Sequence, residues 1–125
     1  MKQEENLQIA VCDYLRYQYP HVMFTCDLAS GMKLTIGQAV KVKRMRSERA
    51  WPDLFIAEPR GLCAGLFIEL KREGVKLKKC NGDYSSDHIW EQERVLSKLN
   101  CKGFETYFAV GFDEAKKIID NYLNN

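Results

Sequence analysis

The chain has 125 residues, 46% of them hydrophobic and 29% charged, a composition that suits one soluble domain with one core; two independent domains of half this length would each be marginal. Nineteen Lys and Arg face 17 Asp and Glu for a formal charge of +2, so the distribution of charge, not its total, decides whether a polyanion is a partner. No apolar run approaches the roughly 18 residues of a membrane span, and the polar start Met1-Lys2-Gln3-Glu4-Glu5 lacks a signal-peptide core, so a soluble, unsecreted chain without a membrane partner is expected.

Five cysteines (Cys12, Cys26, Cys63, Cys80, Cys101) are odd in number and scattered, and the only histidines are His21 and His88. No pair has zinc-knuckle spacing, which speaks against a structural zinc or a disulfide framework and for reduced thiols in a cytosol.

From Glu4 to about Tyr17, Leu7, Ala10, Val11, Tyr14 and Leu15 recur at three-and-four spacing, predicting an amphipathic helix closed by Pro20. His21 to Cys26 is rich in strand formers and predicts a first strand. A loop follows at Ser30-Gly31, then a helix from Thr35 to about Ser47 with weaker periodicity (Ile36, Ala39, Val40). Pro52–Ala57 and Leu66–Leu70 are apolar runs separated by a segment containing Pro59, Gly61 and Gly65, the pattern of a β-hairpin. Ser85-Ser86-Asp87 supplies N-cap residues for a helix to about Asn100 carrying Ile89, Val95, Leu96 and Leu99 on one stripe. Gly103 ends it, Thr106–Val110 is a further strand, and a last helix from Asp113 presents Ala115, Ile118, Ile119, Tyr122 and Leu123 on one face. The expected fold class is α/β, in the order α-β-α-β-β-α-β-α, with a small mixed sheet of about four strands flanked by helices in one domain spanning 1–125.

If the hairpin turn centres near Gly61, paired residues have numbers summing to about 122, which places Asp53 opposite Glu69. Alternation puts Glu69 and Lys71 on one face, with Leu66, Ile68 and Leu70 on the other, toward the core. Two carboxylates and an ammonium thus converge on one face. Like charges directly opposite on paired strands are destabilising; a hard divalent cation, Mg²⁺ or Mn²⁺, would compensate them and suits oxygen ligands and a phosphate substrate. Lys71 would position or help deprotonate a water, or stabilise charge developing on the phosphate. Gln92 lies on the inward stripe of its helix, where an amide needs partners that the carboxylates or ordered waters could provide.

These residues resemble a known family. Pro52-Asp53 followed by Glu69-Leu70-Lys71 resembles the PD-(D/E)XK nuclease motif. Trp51–Ile56, Arg60-Gly61, Gly65–Lys71, the downstream Gln92, the N-terminal Glu4–Gln8 and the final Glu114-Ala115 helix together resemble the virus-type replication-repair nuclease (VRR-NUC) branch over nearly the whole chain. The resemblance implies a PD-(D/E)XK restriction-endonuclease-like core and a metal-dependent deoxyribonuclease, with Asp53, Glu69 and the Leu70 backbone carbonyl as metal ligands and Lys71 as the catalytic lysine. It also implies a first-helix glutamate near the metal. Glu4 shares the face of Leu7 and Gln8 and is the expected residue, with Glu5, about 100° away, as the alternate. It further implies a freestanding phage or bacterial enzyme of DNA repair, acting as a homodimer on a Holliday junction. Flap or end processing, or a catalytically silent DNA-binding module, are the alternatives. Two features depart from the pattern: the 78–88 link is long, and Trp51 stands where a small residue is usual before Pro-Asp.

Charge is unevenly placed. Lys41, Lys43, Arg44, Arg46 and Arg49 precede the first site strand, and Arg72, Lys76, Lys78 and Lys79 follow Lys71. Two basic segments flanking a metal site suit phosphate contacts that supply affinity without reading bases. No recognition-helix or zinc-finger pattern is present, so recognition by structure is expected.

Overall fold

The computed structural model describes residues 2–27, 29 and 32–125; the loop expected at Ser30-Gly31 lies outside the described residues. Helix α1 (Lys2–Gln18) is followed by strand β1 (Phe24–Cys26), helix α2 (Ile36–Arg44), the hairpin strands β2 (Leu54–Ile56) and β3 (Leu66–Lys71), helix α3 (Asp87–Cys101), strand β4 (Glu105–Val110) and helix α4 (Phe112–Leu123). The expected element order holds. The first strand is shorter than expected, because residues 19–22 form a turn around Pro20, with the Val22 N–H donating to the Tyr19 carbonyl at 3.1 Å. Helix α2 is also shorter. Thr35 opens it with a reciprocal capping box to Gln38, and it ends at Arg44 rather than Ser47. Ser86 caps α3, its Oγ accepting from the Ile89 N–H at 3.2 Å.

The sheet order is β1-β2-β3-β4, antiparallel across the first two pairings and parallel between β3 and β4. In the hairpin Leu54 pairs with Ile68, Phe55 with Phe67 and Ile56 with Leu66, so the numbers sum to 122 as expected. Gly65 belongs here for want of space: a Cβ would meet the Ile56 carbonyl oxygen and the Phe55 ring at 2.9 Å each.

Helices α1 and α4 cover one face. Leu7, Val11 and Leu15 pack there with Leu54, Ile56, Leu66, Ile68, Leu70, Ala115, Ile119, Tyr122 and Leu123. Asp120 ties the two helices, accepting from the Tyr14 hydroxyl at 2.5 Å and the Tyr19 hydroxyl at 2.7 Å. The β3–α3–β4 crossover brings α3 onto the opposite face, where Val95, Leu96 and Leu99 pack on Phe67 with Trp51, Phe55, Phe104 and Phe108 around them. Every residue of β3 is therefore buried, on both faces, as a strand flanked by helices requires. Helix α2 buries none of its residues.

Candidate active site

The site begins where β2 stops. One step beyond the Leu54–Ile68 pair, the register sets Asp53 against Glu69, and one step further Pro52 against Leu70. Asp53 Oδ2 accepts the Leu70 N–H at 2.8 Å, taking over the place of a ladder carbonyl. The Leu70 carbonyl lies on the same strand edge as its N–H, and Pro52, the residue facing it, has no N–H to offer. A carboxylate and a main-chain oxygen are thereby brought to one edge by the Pro-Asp dipeptide itself.

Asp53, Glu69, Lys71 and Gln92 are all buried, at 6%, 4%, 8% and 5% exposure. Burial pushes the Glu69 carboxyl well above the usual carboxylate range; the Asp53 charge and a hydrogen bond with Asp53 push it further, Lys71 opposes, and Glu4 adds to the rise. Glu69 Oε1 and Gln92 Oε1 have no hydrogen-bond partner among the described residues. Both belong to the layer between the sheet and α3, Glu69 two residues beyond Phe67 and Gln92 one turn before Val95 and Leu96. Lys71 makes no salt bridge among the described residues. Buried, unpartnered acceptors beside a repelling carboxylate pair are the environment a divalent cation would satisfy, and hard oxygen donors suit Mg²⁺ or Mn²⁺. The residues fit such an ion.

Glu4 is the first-helix carboxylate whose charge reaches Glu69. Glu5 instead lines a separate crevice with Gln8, Cys12, Arg16, Cys26 and Asp27. Among the described residues no three Asp, Glu, His or Cys side chains gather into a metal-holding cluster, so Glu4 stands in electrostatic range without closing one.

The fold recurs in solved structures. One described as a VRR_NUC domain protein superposes with a TM-score of 0.69 at 22% identity, covering 98% of this chain and 88% of that one. A second, described as a VRR_NUC domain, gives 0.50 at 18% identity over 93% and 97%. The chain has the VRR-NUC fold. No family model matches the sequence, and no curated protein does, so the likeness is carried by three-dimensional shape.

On this VRR-NUC scaffold the first basic segment contributes Arg46, alone of its five cations, to the wall of an open cleft of about 670 Å³ that Asp53 also lines. Lys41, Lys43, Arg44 and Arg49 are exposed, whereas Arg46 at the cleft is half-buried and ion-paired with Asp27. In the second segment Arg72, Lys76, Lys78 and Lys79 are exposed, with the Lys78 ammonium 5.1 Å from the Tyr84 ring centre. The long 78–88 link is ordered by its own main chain: Lys79 N–H donates to Asp83 at 2.7 Å and Ser85 N–H to Leu77 at 2.9 Å. Asp27 was not legible as a site neighbour. The β1 register carries it to a place opposite Asp53, whose carbonyl accepts its N–H at 2.6 Å. Trp51, visible in the sequence only as a departure, forms part of the cleft wall. No described helix is long and apolar enough to cross a membrane.

Proposed function

We propose that the chain is a divalent-metal-dependent, structure-selective DNA endonuclease hydrolysing phosphodiester bonds. The observation that carries this reading is the buried Asp53–Glu69 pair, with Glu69 Oε1 unsatisfied and the Lys71 ammonium on the same face. Asp53, Glu69 and the Leu70 carbonyl would hold the Mg²⁺ or Mn²⁺, with Glu4 contributing field from α1. When bound, such an ion supplies Lewis acidity toward the phosphate and lowers the pKa of an attacking water.

The chain's own residues set the geometry. Asp53 is fixed by the Leu70 N–H, so its second oxygen has a defined direction. Lys71 Nζ, on a buried strand end, orients the water and offsets charge on the phosphate oxygens. The Gln92 amide orients polar groups from the α3 side. Exposed Lys41, Lys43, Arg44 and Arg49 on one flank, and Arg72, Lys76, Lys78 and Lys79 on the other, hold the backbone phosphates.

A finer reading is a Holliday junction resolvase acting as a homodimer. One such site cuts one strand, and a four-way junction presents two symmetry-related strands that a two-fold pair of chains would match. The test is a cleavage panel of four-way junction, flap, single-stranded and duplex DNA in Mg²⁺ or Mn²⁺. Paired symmetric nicks in the junction, abolished in Lys71→Ala with DNA binding retained, are expected. Cutting confined to flaps or ends would replace the junction reading with end processing. No cutting of any substrate while binding persists would make the chain a silent DNA-binding module.

A further inference from the structure

The cleft beside Asp53 has a composition that phosphate binding does not explain. Its floor is the Phe55–Phe67 pair, stacked with ring centres 4.5 Å apart, and Trp51 stands 6.1 Å from Phe67. Met45, Arg46 and Ser47, from the segment after α2, and Thr25 on β1 close the sides. Phe55, Phe67, Asp53, Glu69 and Lys71 alternate along their strands onto one face, so the aromatic cleft and the carboxylates open on the same side of the sheet. Its volume, about 670 Å³, is that of a small-ligand pocket.

We propose that this cleft receives an unpaired nucleobase of the strand being cut, adjacent to the scissile phosphate. The inference rests on the nuclease reading and names its substrate class. A nucleobase is a flat ligand that stacks on aromatic rings with little regard to sequence, and Thr25 and Ser47 offer hydroxyls to its edge. The exposed cations Lys41, Lys43, Arg44 and Arg49 lie on the segment that leads to the cleft, which favours an occupant attached to a phosphate chain over a neutral apolar molecule. A base stacked within a duplex cannot enter while its phosphate lies at Asp53; it must first be unstacked, which is least costly at a branch, flap or mismatch. Structure selectivity then comes from the availability of one loose base rather than from the overall shape of the junction.

After the cut site is mapped with the wild-type chain, each nucleotide around it is replaced in turn by an abasic residue. The proposal predicts a loss of about tenfold or more in kcat/KM at one position flanking the cut and less than about twofold at distant positions. Trp51→Ala should show the same loss on intact DNA and no additional loss on the abasic substrate, whereas Trp51→Phe should retain most activity. Should Trp51→Ala fail to fold, the abasic series with the wild-type chain decides alone. Equal rates on intact and abasic DNA at both flanking positions, by a chain that does cut, would overturn the cleft's role and leave the nuclease reading standing. A wild-type chain that cuts no DNA would overturn both.

Discussion

Leu70 and Asp53, 17 residues apart in sequence, are joined across the hairpin by a buried hydrogen bond from the Leu70 N–H to Asp53 Oδ2 at 2.8 Å. The bond gives Asp53 a structural duty as well as a candidate catalytic one, and two substitutions separate these. Asparagine keeps an acceptor oxygen for Leu70, so Asp53→Asn should retain stability within about 1 kcal/mol while lowering cleavage by about 100-fold or more. Asp53→Ala leaves a buried N–H without an acceptor and should cost a further 1–3 kcal/mol or so. Urea denaturation of the two variants beside a single-turnover assay checks both expectations.

Glu69 is held at the expense of stability when no cation is present. Its burial and the facing Asp53 charge both oppose ionisation. Glu69→Gln puts a neutral amide donor facing Asp53 at every pH, so in EDTA it should stabilise the chain, by on the order of 1 kcal/mol or a few degrees in Tm, at pH values where the wild-type carboxyl is ionised. Mg²⁺ should raise the Tm of the wild type and leave that of the variant nearly unchanged. Thermal unfolding with and without Mg²⁺ reads this.

The α1–α4 contact carries its own pH signature. Burial raises the Asp120 pKa, but hydrogen bonds from Tyr14, Tyr19 and Lys116 outweigh it, and the net shift is downward. A depressed carboxylate contributes stability above its unfolded pKa of about 3.9 and loses that contribution as pH falls through the folded value. Asp120→Asn should therefore cost about 1–2 kcal/mol at pH 7, with the gap to wild type closing progressively below about pH 4. Denaturant midpoints of the pair at pH 7 and pH 3 measure it.

The basic segments should act uniformly across DNA sequences. Replacing Lys43, Arg44 and Arg49 together by alanine should weaken binding to every substrate and reduce the slope of log K against log salt by about one unit for each phosphate no longer neutralised. Arg46→Ala belongs to a different class, because that guanidinium is engaged by Asp27; it should disturb the cleft wall before it changes the salt slope. Binding titrations at several salt concentrations separate the two.

Much of this architecture was legible because it is local. The hairpin register followed from a turn near Gly61 and alternation on two short strands, and that register alone brings Asp53 to Glu69. Gln92 could be read as buried because it interrupts an otherwise apolar stripe on α3. Asp27 could not, because its place opposite Asp53 is fixed across a stretch that includes α2, with no tight turn to set the count. The weak periodicity at Ile36, Ala39 and Val40 has a direct cause: α2 buries nothing, and Ile36 is 87% exposed. Trp51 gained its meaning only when Met45, Arg46 and Ser47 were seen to close a cleft around it, an assembly that sequence spacing does not encode.

The convergence of Asp53 and Glu69 on a cation is tested most directly by titrating Mn²⁺ into the chain and following free ion by electron paramagnetic resonance. Saturable uptake by the wild type, abolished in Asp53→Asn and Glu69→Gln while both variants keep the native circular dichroism spectrum, is the predicted result. Uptake unchanged by either substitution, or no saturable uptake up to millimolar Mn²⁺, would contradict it.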